Sequence, residues 1–317
     1  MIVALAGGVG GARLAVGLTQ VLSARDLVIV VNTGDDFEHL GLTICPDLDT
    51  VVYTLAGVNN ATTGWGRADE TWSCMQTLAE LDGETWFKIG DRDLALNLIR
   101  TAALRRGIPL SEVTRSLASK LNIRHRVLPM SETSVRTRVR TSSGELDFQD
   151  YFVRLRCQPA VLGFRFAGAR AARVPGELQT LMGSANVEAV VVCPSNPYVS
   201  VAPILSVPAI RAWLRRRSFP IVGVAPIVGG AALKGPAAKM MRELGAEVSA
   251  LGVARYYGKQ VDGWVIDRAD ASLRAEIESA GRSVVVTDTV MHDRSGSKRL
   301  ARDVVKFART LAKFRAR

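Results

Sequence analysis

Cysteine and histidine are scarce in this sequence of 317 residues, which has four cysteines and three histidines. The cysteines lie far apart and form no Cys-x-x-Cys pair, which excludes a disulfide scaffold and a zinc-type cluster. We therefore expect reduced and mostly buried thiols at Cys45, Cys74, Cys157 and Cys193.

Long apolar runs are also missing. The longest, such as residues 187–194 with Glu188 inside, fall well short of the roughly 20 residues that a membrane helix needs. The first six residues carry no basic side chain and run directly into glycines, unlike a signal peptide. We therefore expect a cytoplasmic protein without a membrane partner.

Acidic residues are outnumbered, because 41 Lys and Arg stand against 30 Asp and Glu, a net charge of +11. Such an excess raises the concentration of anionic ligands near the surface. Aromatic residues make up only 6% of the chain, and the basic clusters at 136–140, 211–217 and 294–317 contain few stacking groups. This composition argues against nucleic acid as a partner and favours a phosphorylated metabolite.

The sequence does contain a clear alternation of short apolar strands and helical stretches. Hydrophobic residues make up 48% and charged residues 22%, as in ordinary folded proteins. The alternation predicts an α/β fold with a doubly wound, mostly parallel, Rossmann-like sheet. The predicted strands are residues 2–6, 27–31, 187–193, 220–225, 263–266 and 283–286, with the first helix at 14–22.

The pattern changes in the middle of the chain, where two helices (94–104 and 111–121) and a hairpin (135–148) are predicted. We therefore predict a Rossmann-like, nucleotide-binding core formed by residues 1–92 and 177–317, and an inserted α+β subdomain at residues 93–176. Near the C-terminus, an apolar stripe predicts a helix that docks on the sheet through Leu300, Val304, Phe307, Leu311 and Phe314.

A glycine-rich turn follows the first predicted strand, at Gly7, Gly8, Gly10 and Gly11. Backbone N–H groups and a helix N-terminus can bind phosphate oxygens at such a position. The turn does not match the dinucleotide fingerprint, because Arg13 stands where the third glycine is required, and it is not a P-loop. Alternatively, the glycines serve a tight turn and close packing of helix and sheet.

Four carboxylates follow the second predicted strand within fifteen positions, at Asp35, Asp36, Asp47 and Asp49. They suit two tasks, which are holding Mg²⁺ against a diphosphate and accepting a proton from an attacking hydroxyl. For Asp47, a helix N-cap is an equal alternative, because it precedes an apolar run. We predict Mg²⁺ as the cofactor, with Asp35 and Asp36 as ligands.

Polar groups also end other predicted strands. Lys88 closes a short predicted strand at 86–89, where it either binds a phosphate or polar acceptor or is simply exposed. Ser195 and Asn196 follow the strand at 187–193 and either contact a nucleotide or cap the next helix. Further polar residues near strand ends or helix starts are His39, Lys234 and Lys239.

In their order along the chain, these segments resemble the 2-phospho-L-lactate transferase family of coenzyme F420 biosynthesis. The resemblance extends to about residue 290 and depends on the combination of motifs. This chain has Val9 where many members have Thr. The matching segments are 7–11 (GGVGG), 32–36 (NTGDD), 44–51 (ICPDLDTV), 88–93 (KIGDRD), 128–131 (LPMS), 148–152 (FQDYF) and 194–197 (PSNP).

The resemblance implies transfer of a phospho-acid group from a GMP-activated diphosphate donor to the ribityl hydroxyl of the deazaflavin alcohol FO, with release of GMP. It implies that Asp49 and Lys88 contact FO, and that the glycine turn with Ser195 and Asn196 binds the donor. Asp49 and Asp35 are the catalytic candidates, and the carboxylate that takes the proton stays open. So does the acid: phospholactate, phosphoenolpyruvate or phosphoglycerate. We also expect a homodimer.

Two other classes match part of the sequence. A nucleotide-sugar-binding regulatory protein of the gluconeogenesis-factor type would share the fold and the glycine turn, but it would not need Asp49 together with Lys88. An NAD-dependent oxidoreductase fits the sheet but not the incomplete fingerprint. For the transferase, we expect Asp49→Asn to lower turnover strongly with little loss of stability, as for a loop carboxylate that faces a ligand.

Overall fold

Strands and helices alternate through most of residues 1–315, which the structure, a computed structural model, describes. The strands are β1 (Ile2–Ala6), β2 (Leu27–Val31), β3 (Phe37–His39), β4 (Leu42–Ile44), β5 (Arg126–Pro129), β6 (Arg136–Thr141), β7 (Gly144–Asp147), β8 (Val161–Ala167), β9 (Ala189–Val192), β10 (Ile221–Val224), β11 (Ile227–Val228), β12 (Ala231–Ala232), β13 (Gly263–Asp267) and β14 (Ser283–Thr287). The α-helices are α1 (Gly8–Thr19), α2 (Pro46–Ala56), α3 (Ser73–Glu80), α4 (Asp91–Arg105), α5 (Leu110–Lys120), α6 (Gly176–Met182), α7 (Ala202–Ser206), α8 (Pro208–Arg215), α9 (Ala237–Glu243), α10 (Ala250–Tyr257), α11 (Arg274–Ser279) and α12 (Arg294–Arg315).

Seven parallel strands form the central sheet, in the order β14-β13-β10-β9-β1-β2-β5. The first half of the chain adds β2 and β5 on one side of β1. The second half adds β9, β10, β13 and β14 on the other side. The strand order therefore reverses between β1 and β9, and ligands bind at the carboxyl ends of the strands beside such a switch point. The predicted doubly wound, parallel α/β fold is confirmed.

Two hydrophobic cores cover the two faces of this sheet. Along β1, Val3 and Leu5 belong to one core, and Ile2 and Ala4 belong to the other, because successive side chains of a strand point to opposite faces. Burial on both faces explains why the predicted strands are continuous apolar runs without a polar alternation.

Helix α1 begins at Gly8, earlier than the predicted start at residue 14. Glycine has a low helix propensity, so the sequence pattern concealed a first turn that tertiary contacts stabilise. Farther along α1, a Cβ on Gly17 would lie 2.0 Å from the Ser297 carbonyl oxygen, so α1 and α12 are in close backbone contact. In α12 the predicted docking stripe is buried at Leu300, Val304 and Phe307, whereas Phe314 is exposed.

The segment at residues 93–176 is divided between two sheets. Its first part contributes α4, α5 and β5, and β5 pairs with β2 at the edge of the central sheet. Its second part forms a separate antiparallel sheet in the order β7-β6-β8. Only the part after β5 therefore has a sheet of its own.

Among residues 1–315, no helix combines the length and the apolar character needed to cross a bilayer.

Candidate functional site

Three loops meet at the carboxyl edge of the central sheet, beside the switch point. They follow β1, β2 and β9, and the first turn of α2 lies against them. The structure therefore brings the predicted glycine turn, the acidic segment and the Ser195 segment together, and we call this site the crevice.

The glycine turn is packed tightly against the loop after β9. An added Cβ would lie 2.1 Å from the Pro194 carbonyl oxygen at Gly10, and 2.5 Å from Ser195 Oγ at Gly11. A Cβ on Gly7 would lie 2.5 Å from an Asp47 carboxylate oxygen. Three of the four glycines are therefore required for close approach, whereas Gly8 adopts a left-handed φ of +61°.

The predicted donor residues Ser195 and Asn196 have partners within the protein. Ser195 Oγ accepts a hydrogen bond from the Gly7 N–H at 3.2 Å and donates to the Gly7 carbonyl at 2.8 Å. The Asn196 side-chain oxygen accepts from the Tyr198 N–H at 3.0 Å, at the start of a π-helical turn. Both residues shape the crevice, and their contact with a donor stays a prediction.

Asp35 and Asp47 form a buried carboxylate pair joined by one amide. The Asn32 side-chain nitrogen donates to Asp35 at 2.6 Å and to Asp47 at 2.9 Å. Burial raises the pKa of Asp47 to about 6. Burial and the charge of Asp47 together raise the pKa of Asp35 well above its usual range, against the effect of the Asn32 hydrogen bond.

Asp47 also connects this pair to the start of α1. The Gly8 N–H donates to an Asp47 carboxylate oxygen at 2.6 Å. Asp47 lies inside the first turn of α2, whose N-cap residue is Cys45. Asp47 is therefore not the N-cap of α2 that the sequence allowed, and its carboxylate faces the crevice loops.

Asp36 is next to Asp35 in the chain and its charge acts on Asp35, but its own partners are different. Burial is the largest influence on Asp36 and, together with the charge of Asp49, raises its pKa to about 7. Arg136, the Cys45 thiol and Arg100 oppose this rise. Among the described residues, its Oδ1 is buried without a hydrogen-bond partner. A buried acceptor without a partner is rare, and it is one mark of a functional group.

Asp49 forms a buried ion pair with Arg100 of α4. The Arg100 guanidinium contacts both carboxylate oxygens, one of them at 3.1 Å, and it also donates to the Asn97 side-chain oxygen at 2.6 Å. Burial raises the pKa of Asp49, and Arg100 opposes this rise. The structure therefore revises the expectation that Asp49→Asn leaves stability almost unchanged, because Arg100 would remain buried without its anion.

The same network extends to residues that the sequence analysis missed. The Tyr53 hydroxyl donates to Asp93 at 2.6 Å, and the Asn97 side chain donates to the Asp93 carbonyl at 3.0 Å. Arg100 offered one usable signal, because it occupies the same helix face as the buried Leu96 and Ala103. A charged residue on an apolar helix face indicates a buried partner.

Lys88 is exposed and lies in an irregular segment, so the short strand predicted at 86–89 is wrong. The residues before it instead join an aromatic cluster. Phe87 packs edge-on against Phe37 with ring centroids 4.8 Å apart, and Trp86 packs against His39 at 5.1 Å. The apolar residues 86–87 predict a strand, whereas in the structure their rings pack against Phe37 and His39 of β3.

The other predicted cations are engaged differently. Lys239 forms an ion pair with Glu243 and donates to the Pro159 carbonyl at 3.0 Å. Lys234 reaches the loop that contains Thr62 and Thr63. Within residues 1–315, no group of three His, Cys, Asp or Glu side chains is arranged to hold a metal ion.

Fold and site together define a class of protein. The chain is a Rossmann-like α/β protein whose switch-point crevice combines a glycine-lined helix start with buried carboxylates. Such a crevice is suited to a ligand with a phosphate group.

Comparison with known proteins identifies the family. The model of the family described as "2-phospho-L-lactate transferase CofD" matches residues 2–306. The chain belongs to this family of transferases in coenzyme F420 biosynthesis. The chain is similar to the phosphoenolpyruvate transferase of Streptomyces griseus, with 42% identity over 314 residues that cover 97% of this chain and 98% of the relative. It is also similar to the phosphoenolpyruvate transferase of a Mycobacterium species (strain KMS), with 36% identity over 330 residues that cover 96% and 97%.

A solved structure confirms the fold at low sequence identity. A member of the UPF0052 family from Bacillus halodurans superimposes with a TM-score of 0.61 and 14% identity, covering 96% of this chain and 98% of that one. The resemblance to the transferase family that the motifs indicated is confirmed.

Proposed function

We propose that this transferase moves a phosphoenolpyruvyl group from a GMP-activated diphosphate donor to the ribityl hydroxyl of FO. The hydroxyl oxygen forms a bond to the phosphorus that carries the acid, and the bond from that phosphorus to the bridging oxygen of GMP breaks. The sequence left three acids open, and the names of the relatives support phosphoenolpyruvate among them.

The observation that carries the proposal is the hydrogen bond from the Gly8 N–H to Asp47. It joins the start of α1, where donor phosphates would bind, directly to the carboxylate pair of Asp47 and Asp35. Two anionic groups that meet in a buried crevice repel each other unless a cation lies between them. The transfer itself needs positioning and charge neutralisation more than covalent catalysis.

The residues present suit the Mg²⁺ that this chemistry implies. Mg²⁺ is usually held by one or two carboxylates together with substrate phosphates and water, so the Asp35–Asp47 pair suffices without a third protein carboxylate. The raised pKa values of both residues indicate a site that lacks positive charge. We propose Asp35 and Asp47 as the ligands, with Asp47 in place of the predicted Asp36. The ion would neutralise charge on the diphosphate.

Asp36 has the chemistry of the proton acceptor. A pKa of about 7 is matched to a general base at neutral pH, and one of its oxygens has no partner among residues 1–315. Asp49 is less suited to this task because Arg100 contacts both its oxygens. Asp35 would hold the cation. In this proposal, Asp49 acts by fixing the FO side of the crevice.

The FO contact is proposed for Lys88 together with the aromatic cluster before it. Lys88 is exposed and free to reach a polar edge of a ligand, and the neighbouring rings of Phe37, Trp86 and Phe87 offer an apolar surface for a flat ring system.

The test is to incubate the protein with FO, Mg²⁺ and each of the three guanylylated acids, and to identify the products by mass. We expect product and GMP chiefly from the phosphoenolpyruvate donor. FO binding is followed separately by its fluorescence. Binding of both substrates without any product would remove the transferase assignment and favour the regulatory alternative. Tight NAD binding without binding of GDP would favour the oxidoreductase.

The predicted homodimer belongs to the same proposal. Leu98 and Ile99 are exposed apolar side chains of α4, and a second copy would cover them. Sedimentation of wild type and of Leu98→Glu tests this: a dimer that the substitution converts to a monomer is expected, whereas a wild-type monomer contradicts it.

A further inference from the structure

A turn-rich loop contacts both the start of α1 and Lys234, and we call this loop, residues 58–68, the strap. Its two ends are joined by a bridge between Asn59 and Arg67. Inside it, the Asn60 side-chain oxygen accepts a hydrogen bond from the Thr62 N–H at 2.9 Å, and the Asn60 carbonyl accepts one from the Gly64 N–H at 2.9 Å. The strap therefore has its own local structure and can keep its shape while its outer contacts change.

The tip of the strap lies on the start of α1. Gly64 is buried and has a φ of +82°, and a Cβ there would lie 2.8 Å from Val9 Cγ1 and 3.0 Å from Lys234 Nζ. Val9 belongs to the first turn of α1. The Lys234 ammonium is therefore close to the helix start where the donor phosphates are proposed to bind.

Lys234 connects the strap to the second half of the sheet. It follows β12, and its Nζ donates to the Thr63 carbonyl at 2.8 Å and to the Thr62 carbonyl at 3.3 Å. An ammonium group has three N–H donors, so these two hydrogen bonds leave one N–H that can donate to a ligand. Neutral carbonyls are weaker partners for an ammonium than a phosphate oxygen is.

We propose that Lys234 is a phosphate-binding residue of the donor site, and that its ammonium binds a phosphate oxygen of the guanylyl donor and the strap at the same time. This inference rests on the proposed function. The bound phosphate and the two strap carbonyls share one ammonium, so donor binding and strap closure stabilise each other. FO, which carries no phosphate, does not use this connection.

Trypsin cleavage after Arg67, inside the strap, reports closure without any turnover. GDP is the probe, and the variants are Lys234→Met, Lys234→Arg and, as a matched control, Lys259→Met. Lys259 is exposed just before β13, at the opposite edge of the sheet. We expect GDP to slow cleavage of the wild type and of Lys259→Met, to have little effect on Lys234→Met, and to regain part of its effect with Lys234→Arg.

Kinetics distinguish phosphate binding by Lys234 from a general structural role of this residue. For Lys234→Met we expect the KM for the donor to rise by about 10- to 100-fold, as for loss of a hydrogen bond between charged groups, with the KM for FO and the melting temperature unchanged. A variant with wild-type donor KM and full GDP protection would overturn the inference alone. A wild type that does not bind GDP would overturn it together with the proposed function.

Discussion

Two regions at the crevice differ in packing. We call the buried region the floor (residues 7–11, 32–36, 45–49 and 193–196) and the more exposed region the cover (residues 58–90). In the floor, polar groups are buried and bonded to one another across the chain. In the cover, Trp65, Trp72 and Leu81 are exposed. Gly7, Gly10 and Gly11 of the floor leave room for close contacts with neighbouring loops, whereas Gly66 of the cover has no neighbour within 4 Å and supplies a turn. The floor therefore sets the electrostatics, and the cover offers contacts that a ligand can exchange.

The largest effect is expected from the ion pair that supports the floor. Arg100→Met leaves the Asp49 carboxylate buried without its cation, which costs about 3–5 kcal/mol of unfolding free energy. Chemical denaturation measures it. Adding Asp49→Leu should recover part of this loss, because the double variant no longer contains an unpaired charge. If the double variant is less stable than Arg100→Met, the pair is not the source of the loss.

A second effect concerns the pH dependence of the floor. Burial raises the pKa of Asp36 from 3.8 to about 7 and that of Asp47 to about 6. The folded state therefore keeps protons that the unfolded chain has lost, and stability falls as the pH rises through this window. We expect the melting temperature without metal to fall between about pH 4 and pH 7, and Mg²⁺ to raise it more at the higher pH.

The control for this pH effect is a pair of variants. Asp36→Asn should flatten the pH dependence, whereas Asp82→Asn, at an exposed position of the cover, should not. A wild-type melting temperature that rises through the same window would mean that the floor carboxylates are stabilised as anions.

A third, intermediate effect comes from the backbone contact between the two floor loops. Gly10→Ala directs a methyl group at the Pro194 carbonyl, and such overpacking costs about 1–3 kcal/mol. Gly176→Ala is the control, because a Cβ there has no neighbour within 4 Å. Equal melting temperatures for the two variants would show that the loops separate freely.

The smallest effect on stability is expected in the cover. Lys88→Met should change the unfolding free energy by less than about 0.5 kcal/mol, since Lys88 is exposed. It should raise the KM for FO and leave the KM for the donor unchanged. A clear loss of stability would assign Lys88 to the packed part of the molecule and weaken the contrast between floor and cover.

The sequence by itself determined where the buried strands lie along the chain, which polar residues follow them, and the family. Continuous apolar runs such as residues 27–31, each followed by polar residues, indicate strands buried on both faces of a parallel sheet. This pattern is local, so it is readable without the fold. The prediction from this pattern was wrong where local propensity and the folded structure disagree. These places are the glycines that begin α1, which have a low helix propensity, and the aromatic residues 86–87, which do not form a strand.

Only the tertiary structure decided which of these groups are partners. Asn32 and Asp47 are 15 positions apart, Asp49 and Arg100 are 51 apart, and Thr63 and Lys234 are 171 apart. Adjacent Asp35 and Asp36 face different neighbours. A hydrogen bond or an ion pair depends on distances of a few ångströms between side chains, and spacing along the chain does not specify these distances until helices and strands have packed.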